Sequence, residues 1–247
     1  MSDDHYSYRL YADPAMADRF DAMRFSGPIG TLLAESQDRV ITSFLGAVEG
    51  RTILDVGTGT GRAAIGLARH GARVTGVDAS SEMLRVARER AAAERLDVAF
   101  DVGDAHRLGF TDRSYDCAVS LRVLMHTPDW RQCLGELCRV ADQRVVFDYP
   151  SALSAAALQA MWRRALAALG RPVEAYRVLR ASEVRRALEG AGFRVERIHR
   201  QFVLPIALHK AIGARGFTVG IERALAALGL LRLFGSPVTV VAVRCAR

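Results

Sequence analysis

Hydrophobic positions along this chain follow two rhythms, and the change between them divides the sequence. Between Thr52 and Tyr149, short runs rich in Val, Ile and Leu alternate with stretches whose apolar residues recur every three or four positions. The first rhythm belongs to strands buried on both faces, the second to amphipathic helices. The runs predict strands at 52–57, 73–78, 97–103, 115–121 and 144–149. Helices fall between them at 61–70, 81–93 and 129–140, with a loop over 103–113. Ser80 stands as an N-cap to the second of these helices, and Met83, Leu84, Ala87 and Ala91 line one side of it. Strands separated by helices imply parallel pairing through right-handed crossovers, hence a doubly wound α/β sheet.

The flanks read differently. Asp13-Pro14 opens a helix that runs to about Phe25, where Ser26-Gly27-Pro28 breaks it. A second helix follows over 29–48, carrying Leu32, Leu33, Val40, Phe44 and Leu45, and Gly50 separates it from the first strand. After Pro150 come an Ala-rich helix over 151–170 (Leu153, Leu158, Met161, Trp162, Leu166), a loop with Pro172, and a helix over 181–190. Residues 193–204 and 237–244 read as strands. The 205–236 segment between them is longer than a hairpin loop usually is, and it places Phe217, Ile221, Leu225 and Leu228 at helical spacing.

The most specific chemistry lies where the first strand ends. Ile53-Leu54-Asp55-Val56-Gly57-Thr58-Gly59-Thr60-Gly61 is an apolar run that closes in alternating glycines. Such glycines let a backbone turn with positive φ and let a ligand approach the main chain. The next run, Arg73 to Asp78, ends in an acid 17 residues after Gly61, placed to accept from a ribose diol. A dinucleotide fingerprint would put its third glycine where Arg62 stands. Asp55 is also poorly suited to a pyrophosphate and well suited to a cation such as an amino-acid ammonium.

This D-x-G-x-G-x-G pattern resembles motif I of the class I S-adenosylmethionine (SAM)-dependent methyltransferases, strongly over about 50–150 and weakly elsewhere. The resemblance is to the small-molecule branch that includes quinone-biosynthesis and natural-product methyltransferases. It implies SAM as cofactor, with S-adenosylhomocysteine (SAH) as product. Asp55, Gly57, Thr58, Gly59 and Gly61 would surround the methionyl part. Asp78 would lie at the ribose, Asp104-Ala105 at the adenine, and the main chain of Leu121-Arg122 at the methionyl group, with Ala79 and Met83 as further cofactor-binding residues. It further implies a Rossmann-like seven-stranded sheet, mostly parallel, closed by an antiparallel hairpin of its last two strands. The chain then divides, within one domain over 1–247, into an N-terminal helical lid (1–50), a SAM-binding core (51–150) and a substrate-side half (151–247). That last half carries helical insertions at about 151–170 and 205–236. Tyr6, Tyr8 and Tyr11 are candidates for the lid, and insertions of this kind generally carry substrate specificity.

Composition narrows the partners. Lys210 is the single lysine among 34 basic residues, the rest being arginines scattered beside alanines, so the net charge of +7 reflects a compositional bias. No run of basic residues favours nucleic acid. Cys117, Cys133, Cys138 and Cys245 form no paired C-x-x-C, and no metal site is expected. The absence of a leader-like start or an 18-residue uncharged run points to a cytoplasmic protein without a transmembrane segment.

Candidates for acid–base work are His126, in Val123-Leu124-Met125-His126-Thr127-Pro128-Asp129, His209 in the late insertion, and Tyr149 at the end of the fifth strand. Each has a structural alternative: ordering a loop, supporting a helix, or closing the sheet. His106 is a weaker candidate. The expected reaction is in-line methyl transfer to a small, apolar or aromatic acceptor. RNA methylation and SAM binding without turnover stay open as alternatives, as does a homodimer. The place after the fourth strand reads Leu121-Arg122-Val123-Leu124 and not D-P-P-Y, against adenine-N6 chemistry.

Overall fold

The computed structural model describes residues 13–169 and 176–246. Tyr6, Tyr8, Tyr11 and the loop at Pro172 lie outside the described residues. Seven strands form one sheet: β1 (Thr52–Val56), β2 (Arg73–Asp78), β3 (Val98–Val102), β4 (Tyr115–Ser120), β5 (Ala141–Tyr149), β6 (Phe193–Phe202) and β7 (Ser236–Arg244). Their order is β3-β2-β1-β4-β5-β7-β6. The first five run parallel, and β7 lies antiparallel to both β5 and β6. The sheet is therefore Rossmann-like, with the antiparallel closing hairpin that the family resemblance implies.

Between the strands lie α3 (Arg62–Arg69), α4 (Ser81–Ala93), a 3-10 turn (Leu124–His126), α5 (Trp130–Val140), α6 (Ala155–Ala168) and α7 (Ala181–Gly190). Two helices, α1 (Pro14–Phe25) and α2 (Gly27–Leu45), precede the sheet, and α8 (Ile206–Ile212), α9 (Arg215–Ala227) and α10 (Leu230–Phe234) precede β7. Local chemistry sets these boundaries. Asp13 accepts from the N–H of Ala15, Ser80 from that of Met83, and Asp129 from those of Arg131 and Gln132. Gly46, at φ +71, closes α2 with its N–H on the Thr42 carbonyl.

Successive residues of β1 feed opposite cores. Leu54 and Val56 pack with Trp130, Leu134 and Leu137 of α5 and Leu188 of α7. Ile53 packs on the other face with Phe44 of α2, Ile65 of α3 and Leu84 of α4. All of these are buried, as period-2 alternation in a sheet covered on both sides requires.

Four expectations change. The break between α1 and α2 is Ser26 alone, because Pro28 is tolerated in a first helical turn, where its missing N–H has no partner to lose. β5 begins at Ala141, directly on leaving α5, with no loop. The late segment is three helices, interrupted where Gly213 and Gly229 adopt φ +69 and +78. Finally, the apolar residues at helical spacing do not all turn inward: Phe217 of α9 and Leu228 just beyond it are 52% and 75% exposed, while Thr218 and Glu222 are buried. The inward face of α9 is polar because Glu222 accepts from the N–H groups of Val203 and Leu204 and faces the His209 ring. Leu158, Met161 and Trp162 of α6 likewise face outward.

Candidate functional site

Strand order reverses between β1 and β4: the chain leaves β1 for α3 on one face of the sheet and leaves β4 for α5 on the other. The two exits open a crevice at the carboxyl ends of the strands. A cavity of about 510 Å³ occupies it.

The turn after β1 makes the floor. Gly57, Gly59 and Gly61 all have positive φ. At Gly57 a Cβ would collide with Val123 Cγ2, so the turn closes on the segment after β4. At Gly59 a Cβ would meet nothing within 4 Å, and the backbone there faces open space. Asp55 is 2% exposed, and its Oδ2 accepts from the Thr58 hydroxyl (2.6 Å) and the Ala64 N–H (3.2 Å). Burial pushes its pKa up to about 6 against those two bonds, with the neighbouring charge of Asp78 adding to the rise. An anion held there is short of a counter-charge.

Asp78 ends β2 opposite this turn. Its two oxygens accept from the N–H groups of Gly59 (2.8 Å) and Ser80 (2.9 Å). Burial raises its pKa as well, opposed by its backbone hydrogen bonds. One carboxylate thus ties the glycine turn to the start of α4 and keeps lone pairs for a ligand diol. These features fit SAM: a buried acid for an ammonium, open space before the Gly59 main chain, and an acceptor pair at the second strand.

The remaining sequence candidates divide. Asp55, Gly57, Thr58, Gly59, Asp78, Ala79, Met83, Ala105, Leu121, Arg122, His126 and Tyr149 line the cavity. Gly61 lies behind the wall, where a Cβ would meet Ala87 at 3.0 Å; its role is close packing of α3 on α4. Asp104 is not in the wall either. Its Oδ1 accepts from the His106 N–H (2.9 Å) and pairs with His106 Nδ1 (2.8 Å). His106 Nε2 accepts from the Asp129 N–H, so Nδ1 carries the proton, and the pair orders the entry to α5.

His209 is the clearest departure. It is fully buried outside the cavity wall, with Nε2 2.8 Å from Glu222 Oε1 and Nδ1 3.1 Å from the Thr218 hydroxyl. Both ring nitrogens are engaged within the insertion, and its role is structural. Arg122 adopts φ +63, and its N–H is committed to the Asp148 carboxylate. A main-chain contact from Arg122 to a ligand therefore falls to its carbonyl.

Several wall residues carried no sequence signal. Phe20, Arg24 and Phe25 of α1 reach the cavity, as do Arg163 of α6, Tyr176, Gln201 of β6 and Lys210 of α8. Charges hold α1 over the glycine turn. Asp21 pairs with Arg90 and accepts from the Thr60 hydroxyl, Asp18 pairs with Arg85, and the Arg62 guanidinium lies 3.7 Å from the Phe25 ring centroid. Among the described residues, no three metal-capable side chains converge, and no helix is long and apolar enough to cross a membrane.

Comparison with known proteins agrees with this geometry. The family described as "Methyltransferase domain" matches residues 53–144. Methyltransferase GfsG of Streptomyces halstedii is 34% identical over 146 residues, covering 57% of this chain and 48% of that protein. A ubiquinone biosynthesis O-methyltransferase of Alkalilimnicola ehrlichii is 42% identical over 90 residues, covering 36% of each. The chain thus spans about half or less of the length of the curated relatives it matches. In overall fold it is similar to magnesium protoporphyrin IX methyltransferase of Synechocystis PCC 6803 with bound SAH. The TM-score is 0.70 at 19% identity, over 96% of this chain and 98% of that one. With its β1–β5 sheet, its glycine turn and its acid at the second strand, the 53–144 region is a class I SAM-dependent methyltransferase domain.

Proposed function

We propose that the protein transfers the methyl group of SAM to a small, largely apolar molecule in the cytoplasm. The observation that carries the reading is the 2.8 Å bond from Gly59 N–H to Asp78, which brings the amino-acid end and the ribose end of the cofactor site together in one cavity. When bound, SAM supplies a methyl carbon made electrophilic by its sulfonium. Asp55 holds the cofactor's ammonium and regains the counter-charge that burial denies it. Asp78 accepts from the ribose diol, with Met83 beside it in the wall, and Ala105 flanks the adenine end.

Beyond the cofactor, the chain's task is alignment. A wall built from α1, α2, α6 and the β6–α8 segment holds the acceptor against the methyl and excludes water, and alignment alone removes much of the barrier to such a displacement. Of the sequence candidates in the wall, which also holds His106, His199 and Tyr176, His126 and Tyr149 are able to take a proton when the acceptor enters as an alcohol or phenol. Burial raises the Tyr149 pKa, so His126 is the favoured base. Apolar residues such as Leu33, Phe202 and Ile206 support an apolar acceptor.

Titration calorimetry with SAM, SAH and NADH tests the cofactor; binding of NADH without SAM would end the reading. Labelled-methyl transfer to quinones, phenols, a lipid extract and bulk RNA tests the acceptor. Transfer to RNA alone would replace the small-molecule claim.

A further inference from the structure

One side of the cavity wall is a patch of the sheet that α2 covers. Val146 of β5 and Val241 of β7 face α2, packed with its Phe44 and Leu45. Side chains alternate along a strand, so Asp148 and Thr239 share that face. Register sets Thr239 between Asp148 and His199 of β6, and Gln201 follows His199 by two residues on the same face. Thr239, His199 and Gln201 all line the cavity. Asp148, at the β5 end of this row, is committed through Oδ1 to the Arg122 N–H.

α2 keeps step with β6. Arg197 donates to the Ser43 carbonyl, and its guanidinium lies 4.9 Å from the Phe44 ring centroid. Two strand residues on, the charge of Arg39 bears on His199. Two strand residues advance about 6.7 Å and one helical turn about 5.4 Å, so the next step brings Gln201 level with Ser36 and Gln37. Both line the cavity, with Leu33 and Val40 on the same side of the helix. Burial and the Arg39 charge hold the His199 imidazole below the ordinary histidine range, so it is mostly uncharged at pH 6.5 and above.

Gln201 differs from its neighbours in this patch. Its Nε2 is buried and has no hydrogen-bond partner. A buried amide donor left unpaired costs stability, and native proteins leave few of them. A half-turn of the last side-chain torsion exchanges the ends of a carboxamide, so its N–H groups can be offered to the cavity the residue lines. In strand order β6 stands three spacings from β4, about 14 Å, on the side away from β1 and its glycine turn. A ligand group that meets Gln201 is therefore remote from the cofactor half. A carbonyl oxygen satisfies such a donor without bringing in a proton that needs an acceptor of its own.

We propose that Gln201 is a specificity-determining residue, which selects acceptors whose apolar ring body carries a carbonyl oxygen remote from the atom that takes the methyl, and that its carboxamide donates to this oxygen. The inference rests on the methyltransferase reading for the methyl, while the carbonyl contact is defined by the wall. Leu33, Val40 and Pro237 supply apolar surface for the rings.

The test uses 4-hydroxybenzophenone and 4-benzylphenol, which share two rings and a phenol and differ in a carbonyl against a methylene. Equilibrium dialysis on the full chain with saturating SAH, at pH 6.5 where both phenols hold their protons, reads the affinity ratio. The wild type is expected to bind the ketone about tenfold more tightly, in the range for one hydrogen bond to a buried donor. Gln201→Met and Gln201→Leu should each bring the ratio to within about twofold of unity and leave SAH affinity unchanged. Both should melt no lower than wild type, because they remove an unpaired donor. Equal affinity of the wild type for the two probes, binding of neither, or a ratio that survives both substitutions would overturn the proposal. So would a melting temperature that both substitutions lower by more than about 5 °C, the mark of a purely structural role. If SAH does not bind the wild type, the methyltransferase reading fails, and the same dialysis without SAH still decides the Gln201 contact.

Discussion

Replacing Asp55 with asparagine should make the ligand-free protein more stable at pH 7.5, at the cost of cofactor affinity. Burial lifts the Asp55 pKa from 3.8 to about 6. At about 1.4 kcal/mol per unit, ionising it in the folded state costs about 3 kcal/mol relative to the unfolded chain. The sign follows from the direction of the shift. Below about pH 4 both states hold the proton and the site costs nothing. Between about pH 4 and 6 the folded state keeps a proton that the unfolded chain has released, so stability falls as pH rises. Above about pH 6 the full cost persists. An asparagine side chain keeps an oxygen to accept from the Thr58 hydroxyl and the Ala64 N–H, so those bonds survive. Asp148 shifts in the same direction and is common to both proteins, so it cancels in the difference, while Asp78, whose charge acts on Asp55, contributes to it through that coupling.

Urea melts from pH 4 to 8 should therefore show the Asp55→Asn variant and wild type converging at the acid end, with the variant ahead by up to about 3 kcal/mol above pH 6.5. SAH binding should behave inversely. Wild-type affinity should weaken roughly tenfold per pH unit below about 6, while the variant starts weaker by about 1.5–3 kcal/mol and stays flat. A variant less stable than wild type at pH 7.5, or a wild-type SAH affinity constant from pH 5 to 8, would refute the assignment of Asp55 as a strained anion awaiting a cation.

Asp78→Ala should weaken SAM binding by about 1–3 kcal/mol, since it removes the acceptor shared by the Gly59 N–H, the Ser80 N–H and the ribose; calorimetry reads it, and an unchanged dissociation constant would refute the ribose role. Gly57→Ala should destabilise the fold by more than about 2 kcal/mol in urea melts, because φ is +72 and the new Cβ would collide with Val123 Cγ2. Adding Val123→Ala should recover part of the loss, and no recovery would mean that the backbone conformation alone is responsible. Glu222→Ala strips the acceptor from the N–H groups of Val203 and Leu204 and from the His209 ring, and should cost about 2–4 kcal/mol with faster hydrogen exchange over 203–222. His209→Gln should lower the melting temperature while leaving methyl transfer intact; loss of turnover in a folded variant would return His209 to the chemistry.

The cofactor half was legible because its signals are local. Asp55 and the glycines act within one strand–turn–helix unit, and Asp78 is fixed by the parallel register that pairs Asp55 with Gly76 and Val56 with Val77. The acceptor half was not. Arg24, Arg163, and the pair Gln201 and Lys210 are ordinary polar residues from three stretches far apart in the chain, and only tertiary packing brings them to one cavity. Periodicity over 217–228 marked a helix without marking its buried face, for Phe217 and Leu228 are exposed. The helix instead turns Glu222 inward, because the ends of β6 and α8 present donors that need an acceptor. At Asp104 the G-D-A segment is present, and the structure adds that His106 engages only Oδ1, while Oδ2 is buried with no hydrogen-bond partner among the described residues.

The Lys210 ammonium rests on the last carbonyls of α1, and Arg215 of α9 pairs with Glu35 of α2, so stretches some 180 residues apart clasp across the mouth of the molecule. On the proposed methyl-transfer reading, acceptor preference is thereby written in two distant paragraphs of the gene that must be edited together. A chimera exchanging residues 203–236 with those of a relative inherits a new ceiling without its matching doorpost, whereas one that also exchanges 14–45 carries the pair across whole and leaves the sheet beneath untouched.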